Sequence, residues 1–226
     1  MNKLYVKTLS IEITRRCNMA CAHCMRGDAQ NVDIEHRYIK DILKHIQHIQ
    51  HFNITGGEPS LNVKAMRYIL KQLKNYNIPV HDFYIVTNGS SSSVSKEFIN
   101  ICSELYDYQE EKDEHYPILE MSDDRFHDSQ FHPKVIAKLS QYPFFGLRNQ
   151  AENIFLFKEG RCTTGYPNPI HEIYLTTTDC VYGDVYLNAS GKILSNGDLS
   201  YQRQEDHILC SSNNFMKYIK TTLKTE

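Results

Sequence analysis

Four short apolar runs in the first two-thirds of the chain each lead into a loop of polar or glycine residues and then into a helical stripe. That recurrence restricts the fold more than any other feature. The runs are Leu9 to Ile13, Phe52 to Thr55, Phe83 to Val86 and Ile118 to Met121. Alternation of apolar and polar side chains marks the first as a strand, and repeats at three and four mark the intervening stretches as helices. The first helix is expected from Ile34 through Tyr38, Ile39, Ile42, Leu43, Ile46 and Ile49, with His45, His48 and His51 on its solvated flank. The second carries Val63, Met66, Ile69, Leu70 and Leu73, and Asn77 to Pro79 terminates it because proline cannot continue the ladder. A third carries Val94, Phe98, Ile101, Cys102 and Leu105, and a fourth starts at Pro133. Strand, loop and helix in repetition imply a parallel sheet with right-handed crossovers, whose active site lies in the loops after the strands' carboxyl ends.

The loops in those places are unusual. After the first strand comes Thr14 to Cys24, where Cys17, Cys21 and Cys24 make a CxxxCxxC spacing that holds three of the chain's seven cysteines. Thiolates are soft ligands, and three on one loop suit an iron-sulfur cluster or, with a fourth ligand, zinc. A closed structural zinc site usually draws a second ligand pair from elsewhere, and the sequence has no other CxxC or CxxH. The second strand runs into Gly56-Gly57-Glu58-Pro59, the third into Thr87-Asn88-Gly89, and the fourth into a loop from Ser122 to Asp128. A parallel sheet gathers all four loops at one rim.

Asn153 to Phe157 is expected as a fifth strand and Glu172 to Leu175 as a sixth. Val185 to Leu187 and Lys192 to Leu194 read as a hairpin, Asn196-Gly197 as a turn, and Phe215, Met216, Ile219 and Leu223 as a terminal helix over an open edge. The expected fold is α/β, a partial (β/α)6 TIM-like barrel with a small C-terminal hairpin and helix appendage. One domain is expected over 1–226, with its core at about 9–177 and the appendage at about 178–226. A formal net charge of −2 argues against nucleic acid as a partner, and no window resembles a membrane span. The mixed first residues and odd cysteine count are read as a cytoplasmic protein with reduced thiols.

Taken in order, the CxxxCxxC loop and the GGEP motif resemble those of the radical S-adenosylmethionine (SAM) superfamily, over roughly Leu9 to Phe157. The resemblance implies a [4Fe-4S] cluster on Cys17, Cys21 and Cys24, with its fourth iron chelated by SAM. It implies that Gly56 and Gly57 let the backbone approach the methionine moiety, that Glu58 accepts a hydrogen bond from the SAM ammonium, and that Pro59 completes the motif. His23 takes the position of the family's aromatic residue near adenine. Thr87 and Asn88 lie where a SAM-facing loop is common, and Ser122 where a polar residue meets the ribose. Asp123, Asp124 and His127 are candidates for ribose binding, substrate orientation or proton relay, with Asp124 and His127 taken as catalytic; a capping network before the Pro133 helix is the alternative.

The implied chemistry is reductive cleavage of SAM to a 5'-deoxyadenosyl radical that abstracts hydrogen from a substrate. An electron donor such as flavodoxin or ferredoxin is implied as well. The tail resembles a cysteine-poor version of the SPASM or Twitch extension of peptide-modifying maturases, so a peptide or protein side chain is the leading substrate. The default for Cys102, Cys162, Cys180 and Cys210 is thiols without a cluster. The alternatives are a small-molecule or nucleoside enzyme of the same chemistry, and a non-catalytic zinc- or cluster-binding module.

Overall fold

The computed structural model describes residues 3–113, 116–127, 130–148 and 155–222. It begins with β1 (Leu4–Thr14), α1 (His36–Leu43), β2 (Ile46–Gly56), α2 (Val63–Tyr76), β3 (Val80–Thr87) and α3 (Lys96–Tyr108). Then come β4 (Leu119–Met121), α4 (His132–Leu139), β5 (Phe145–Leu147), β6 (Tyr174–Leu175), β7 (Cys180–Leu187), β8 (Lys192–Leu194), α5 (Tyr201–Asp206), β9 (Cys210–Ser211) and α6 (Phe215–Thr222). One sheet runs in the order β5-β4-β3-β2-β1-β7-β8-β9, with β6 pairing β7 outside this path. Neighbours from β5 through β1 to β7 are parallel, whereas β8 and β9 add on antiparallel. The sheet is not closed, as expected of a partial barrel.

Strand alternation makes its two faces chemically different. Leu9 and Ile11 of β1, Phe52 and Ile54 of β2, and Phe83 and Ile85 of β3 join the helices' apolar stripes in the main core. Thr8, Ser10, Asn53, Thr55, Tyr84 and Val86 line a cavity in the sheet's concave side. β1 sits between β2 and β7 and is buried without interruption from Leu9 to Thr14, as a central parallel strand should be.

Several sequence expectations need correction. The first helix stops at Leu43, and Ile46 and Ile49 belong to β2, which starts before Phe52. A backbone turn at His45 ends the helix, and its carbonyl accepts from Leu4 N at 2.8 Å. Ile46 and Ile49 are buried on either view, so period alone could not separate a continuing helix from a strand. His48 and His51 consequently sit on a strand, where His48 meets Glu110 at 3.2 Å and His51 meets Asp82 at 2.8 Å.

The fifth strand is Phe145–Leu147 rather than Asn153 to Phe157, and it pairs β4 in parallel register. Positions 153 and 154 lie outside the described residues, and Phe157 makes only an isolated bridge to Tyr166. The expected sixth strand shrinks to Tyr174–Leu175 and runs antiparallel to β7. The expected hairpin is present, but β7 begins at Cys180 and lies parallel to β1, so it extends the main sheet on the side away from β5. Helix α5 escaped the sequence reading because it is short; Ser200 caps it by accepting from Arg203 N at 3.3 Å.

A buried network fastens these late elements to β1. Glu12 is fully buried, accepting from Arg15 Nε at 2.7 Å, Tyr186 OH at 2.6 Å, Ala189 N at 3.0 Å and Gln204 Nε2 at 3.2 Å. Arg15 in turn donates to Gln204 Oε1 at 2.7 Å and Gln30 Oε1 at 3.0 Å. Burial pushes the Glu12 carboxyl up, but the Arg26 and Arg15 charges together with the hydrogen bonds from Tyr186 and Arg15 hold the group below its ordinary value.

Candidate functional site

The cysteine loop leaves β1 at Thr14 and is pinned by backbone bonds. Cys24 N donates to Cys21 O at 3.1 Å, and Arg161 N donates to Cys24 O at 2.9 Å. The glycine loop lies against its start: Gly57 N donates to Thr14 O and Glu58 N to Arg16 O, both at 2.8 Å. A Cβ on Gly56 would meet Thr14 O, and one on Gly57 would meet Arg16 O and, at 2.8 Å, the Arg16 carbonyl carbon. These two positions need glycine because backbone packs on backbone there. Gly57→Ala is expected to destabilise the protein by about 1–3 kcal/mol, the usual range for forced overpacking. A thermal melt showing Tm lowered by several degrees checks it.

Glu58 joins the loops after β2 and β3. It is buried, and it accepts from Ser60 N at 3.0 Å, Thr87 Oγ1 at 2.9 Å and Asn88 N at 2.8 Å. A carboxylate offers about four lone-pair sites, so one site on Oε2 remains for a further donor. Burial raises the Glu58 carboxyl above its ordinary value despite these donors. Thr87 also shares a hydrogen bond with Ser93 Oγ at 2.6 Å. Pro59 is buried at the start of a 3₁₀ turn, Pro59–Asn62. Asn88 reaches back to the cysteine loop, donating to Asn18 Oδ1 at 2.9 Å and Cys17 Sγ at 3.7 Å.

The loop after β4 closes the rim. Ser122 N donates to Thr87 O at 3.0 Å. Asp124 Oδ1 meets His127 Nδ1 at 2.8 Å and accepts from Phe126 N at 2.9 Å. Burial works to raise the Asp124 carboxyl, yet these hydrogen bonds hold it below its usual value. His23 stacks on Phe126, centroids 4.4 Å apart, and meets His127 edge-on at 5.1 Å. Burial, with His127 adding to it, pushes His23 down, favouring the neutral ring. Asp123 pairs with His132 at 2.6 Å, while His132 Nε2 lies 3.1 Å from Asn88 O. Asp123 thus ties α4 to the rim. Asp128 lies outside the described residues.

Cys17, Cys21, Cys24, His23, Gly56, Gly57, Glu58, Thr87, Asn88, Ser122 and His127 all line one cavity of about 500 Å³; Pro59 and Asp124 stand behind its wall. That volume falls in the range of about 300–1,000 Å³ typical of ligand sites. The donor set fits a [4Fe-4S] cluster with SAM. Burial pushes the Cys21 thiol up to about 11, with Cys17 and Cys24 adding to it, and burial raises Cys17 as well. Three mutually opposed thiols facing a cavity are stabilised by a shared metal cluster. The glycine cradle, the open lone pair of Glu58 and the buried, unpartnered Nδ1 of His23 lie beside them.

Sequence reasoning missed the cavity's other half. Ser10, Asn53 and Tyr84 occupy adjacent register positions on β1, β2 and β3, and Arg26, Arg148, Asp184, Tyr186 and Asp198 are among the other residues of the wall. The signal was present: each of the first three is a polar or hydroxyl residue between two apolar ones in mid-strand, on the side facing away from the helices.

Residues 11–110 match the Radical SAM superfamily. The putative peptide biosynthesis protein YydG of Bacillus subtilis (strain 168) is 29% identical over 91 residues, 38% of this chain and 28% of that protein. The uncharacterized protein MJ0907 of Methanocaldococcus jannaschii is 27% identical over 89 residues, 38% of this chain and 31% of that protein. The chain therefore spans under a third of the length of these curated relatives. Among solved structures, native anSMEcpe with bound AdoMet and Cp18Cys peptide superposes with a TM-score of 0.60 at 10% identity, covering 96% of this chain and 80% of that one. That likeness is one of fold. The stretch that matches the radical SAM superfamily, residues 11–110, contains both the cysteine loop and the Gly-Gly-Glu-Pro loop.

Proposed function

We propose that the chain is a radical SAM enzyme whose substrate is a peptide or protein side chain. The observation that carries the reading is that the three thiols and the Gly-Gly-Glu loop line one cavity. Cys17, Cys21 and Cys24 hold a [4Fe-4S] cluster as thiolates, and Asn88 steadies Cys17. When bound, the cluster and SAM supply one-electron cleavage of the sulfonium and hydrogen abstraction from the substrate.

The chain's own residues bind and orient. Gly56 and Gly57 bring backbone to the methionine end of SAM, and Glu58 Oε2 accepts from its ammonium in a charge-assisted bond. Thr87 and Pro59 act through Glu58, fixing its carboxylate. His23, neutral and stacked on Phe126, offers an apolar ring face to adenine. Ser122 serves the ribose. Asp124 orients His127 through Nδ1, which leaves Nε2 to hold or pass a proton at the cavity wall.

The chain is read as one domain, 1–226, in which the segment from about 178 onward flanks the core at 9–177. The pairing of β7 with β1 and the Glu12 network support this. A cytoplasmic setting suits reduced thiols and a flavodoxin- or ferredoxin-type donor. No helix among the described residues is long and apolar enough to cross a membrane.

The peptide reading is supported by the name of the Bacillus relative and by the peptide bound to anSMEcpe. Its test is deuterium transfer. A perdeuterated substrate peptide is expected to pass deuterium into 5'-deoxyadenosine. Transfer from a labelled nucleoside and none from the peptide would overturn the substrate assignment.

A further inference from the structure

Asp184 is a carboxylate on the cavity wall that the proposed SAM chemistry does not use. Its Oδ1 accepts from Ser10 Oγ at 2.7 Å, and its Oδ2 from Gly197 N at 3.0 Å. Asn53 Nδ2 donates to Ser10 Oγ at 3.0 Å, so β2, β1 and β7 are linked by one hydrogen-bond chain ending on this carboxylate. Such a chain fixes the direction in which the group points.

Its charge is not matched. Two interior acids have a cation in contact, Glu12 with Arg15 at 2.7 Å and Glu159 with Arg203 at 2.8 Å, while Glu58, buried and held by neutral donors alone, is the acid assigned above to the SAM ammonium. Among the described residues no Lys, Arg or His lies within salt-bridge distance of Asp184. Of the charged groups near it, Arg26 attracts from farther off while Asp198 repels, and burial raises its carboxyl above the ordinary value. Arg26 is itself engaged, stacked 5.2 Å over the Tyr186 ring and donating to Leu199 O at 2.9 Å. A half-buried carboxylate held by two neutral donors lacks a countercharge in contact, which favours an incoming cation. An entering cation supplies it, and two lone pairs of the carboxylate remain to receive its N–H groups.

We propose that Asp184, oriented by Ser10 and Asn53, is a recognition residue that takes a primary ammonium group of the substrate. This rests on the peptide reading above and narrows it to peptides that present a lysine side chain or a free amino terminus to the cavity.

The chain has no tryptophan, so a tryptophan-bearing probe peptide reports its own binding by fluorescence anisotropy. The probes are three short synthetic peptides, titrated anaerobically into cluster-reconstituted protein with SAM. One is acetylated and carries lysine, the second is acetylated with norleucine in its place, and the third is the norleucine peptide with a free amino terminus. The ammonium-bearing peptide that matches is expected to bind at least about tenfold tighter than the acetylated norleucine peptide, and which of the two wins identifies the source of the amine.

Asp184→Asn is expected to bring the ratio to about one, and Asp184→Glu to retain a preference. Equal binding of all three peptides to the wild-type protein, or a preference that survives in Asp184→Asn, would overturn the proposal. Production of 5'-deoxyadenosine by the same wild-type preparation shows whether the radical SAM reading stands independently of that result.

Discussion

Cys21→Ala, reconstituted anaerobically, is expected to lose the iron that the wild-type chain holds, about four atoms per chain, and with it at least about 10³ in the rate of SAM cleavage. That rate loss corresponds to about 4 kcal/mol of barrier. Cys21 stands between its two partners in the loop, and all three face the cavity. Removing one thiol leaves two, which is too few to retain a cluster whose fourth position the protein does not supply. The protein fold should survive, because Cys21 is only partly buried and contributes little to the core. Iron content, absorbance near the cluster bands and chromatography for 5'-deoxyadenosine read the effect. Asn88→Ala offers a graded comparison: it removes a donor to Cys17 Sγ while leaving all three ligands, and losing a hydrogen bond to a metal ligand usually costs about 10–100-fold in metal affinity.

Glu12→Ala is expected to cost about 3–5 kcal/mol of stability, the range for breaking a buried ion pair from one side. It strands the Arg15 and Arg26 charges and leaves Tyr186 OH, Ala189 N and Gln204 Nε2 without their acceptor. The midpoint of urea unfolding measures it. The pH dependence carries a definite sign. The folded Glu12 carboxyl lies below its ordinary value of 4.5, so its ionised form stabilises the fold above that pH. The contribution is lost as pH falls from 4.5 through the lower folded value. The difference in stability between wild type and Glu12→Gln should shrink over that acid range and be constant above it. A difference that grows on acidification would contradict the assignment.

The sequence was most informative where one period ruled and a loop followed. Strands β1, β3 and β4, helices α2, α3 and α4, and the gathering of the cysteine, glycine and Thr-Asn-Gly loops at one rim all follow from alternation, helical stripes and the placement of loops in parallel sheets. The α1–β2 boundary failed because Ile46 and Ile49 continue the helical spacing while being equally fit for a buried strand. β5 was missed because only Phe145, Gly146 and Leu147 form it, too short for a pattern, and its pairing with β4 is set by the sheet.

Partnerships across long separations were not legible either. Glu12 and Gln204 lie 192 residues apart, and Ser10 and Asp184 lie 174 apart; neither pair has any local signal. For Asp123 the sequence left ligand binding and a capping network before the Pro133 helix as alternatives, and its contact with His132 at the start of that helix accords with the second. Motif spacing could name the thiols and the glycine cradle, but only the folded sheet brings Ser10, Asn53 and Asp184 onto the same wall.

The central claim is that these thiols carry a redox cluster that acts on SAM. The most direct measurement purifies the chain anaerobically, reconstitutes it with iron and sulfide, reduces it with dithionite and follows SAM. The account predicts bound iron and sulfide together with 5'-deoxyadenosine and methionine in equal amounts, absent when dithionite is withheld. One equivalent of zinc with no iron, or a retained cluster that never consumes SAM, would contradict it.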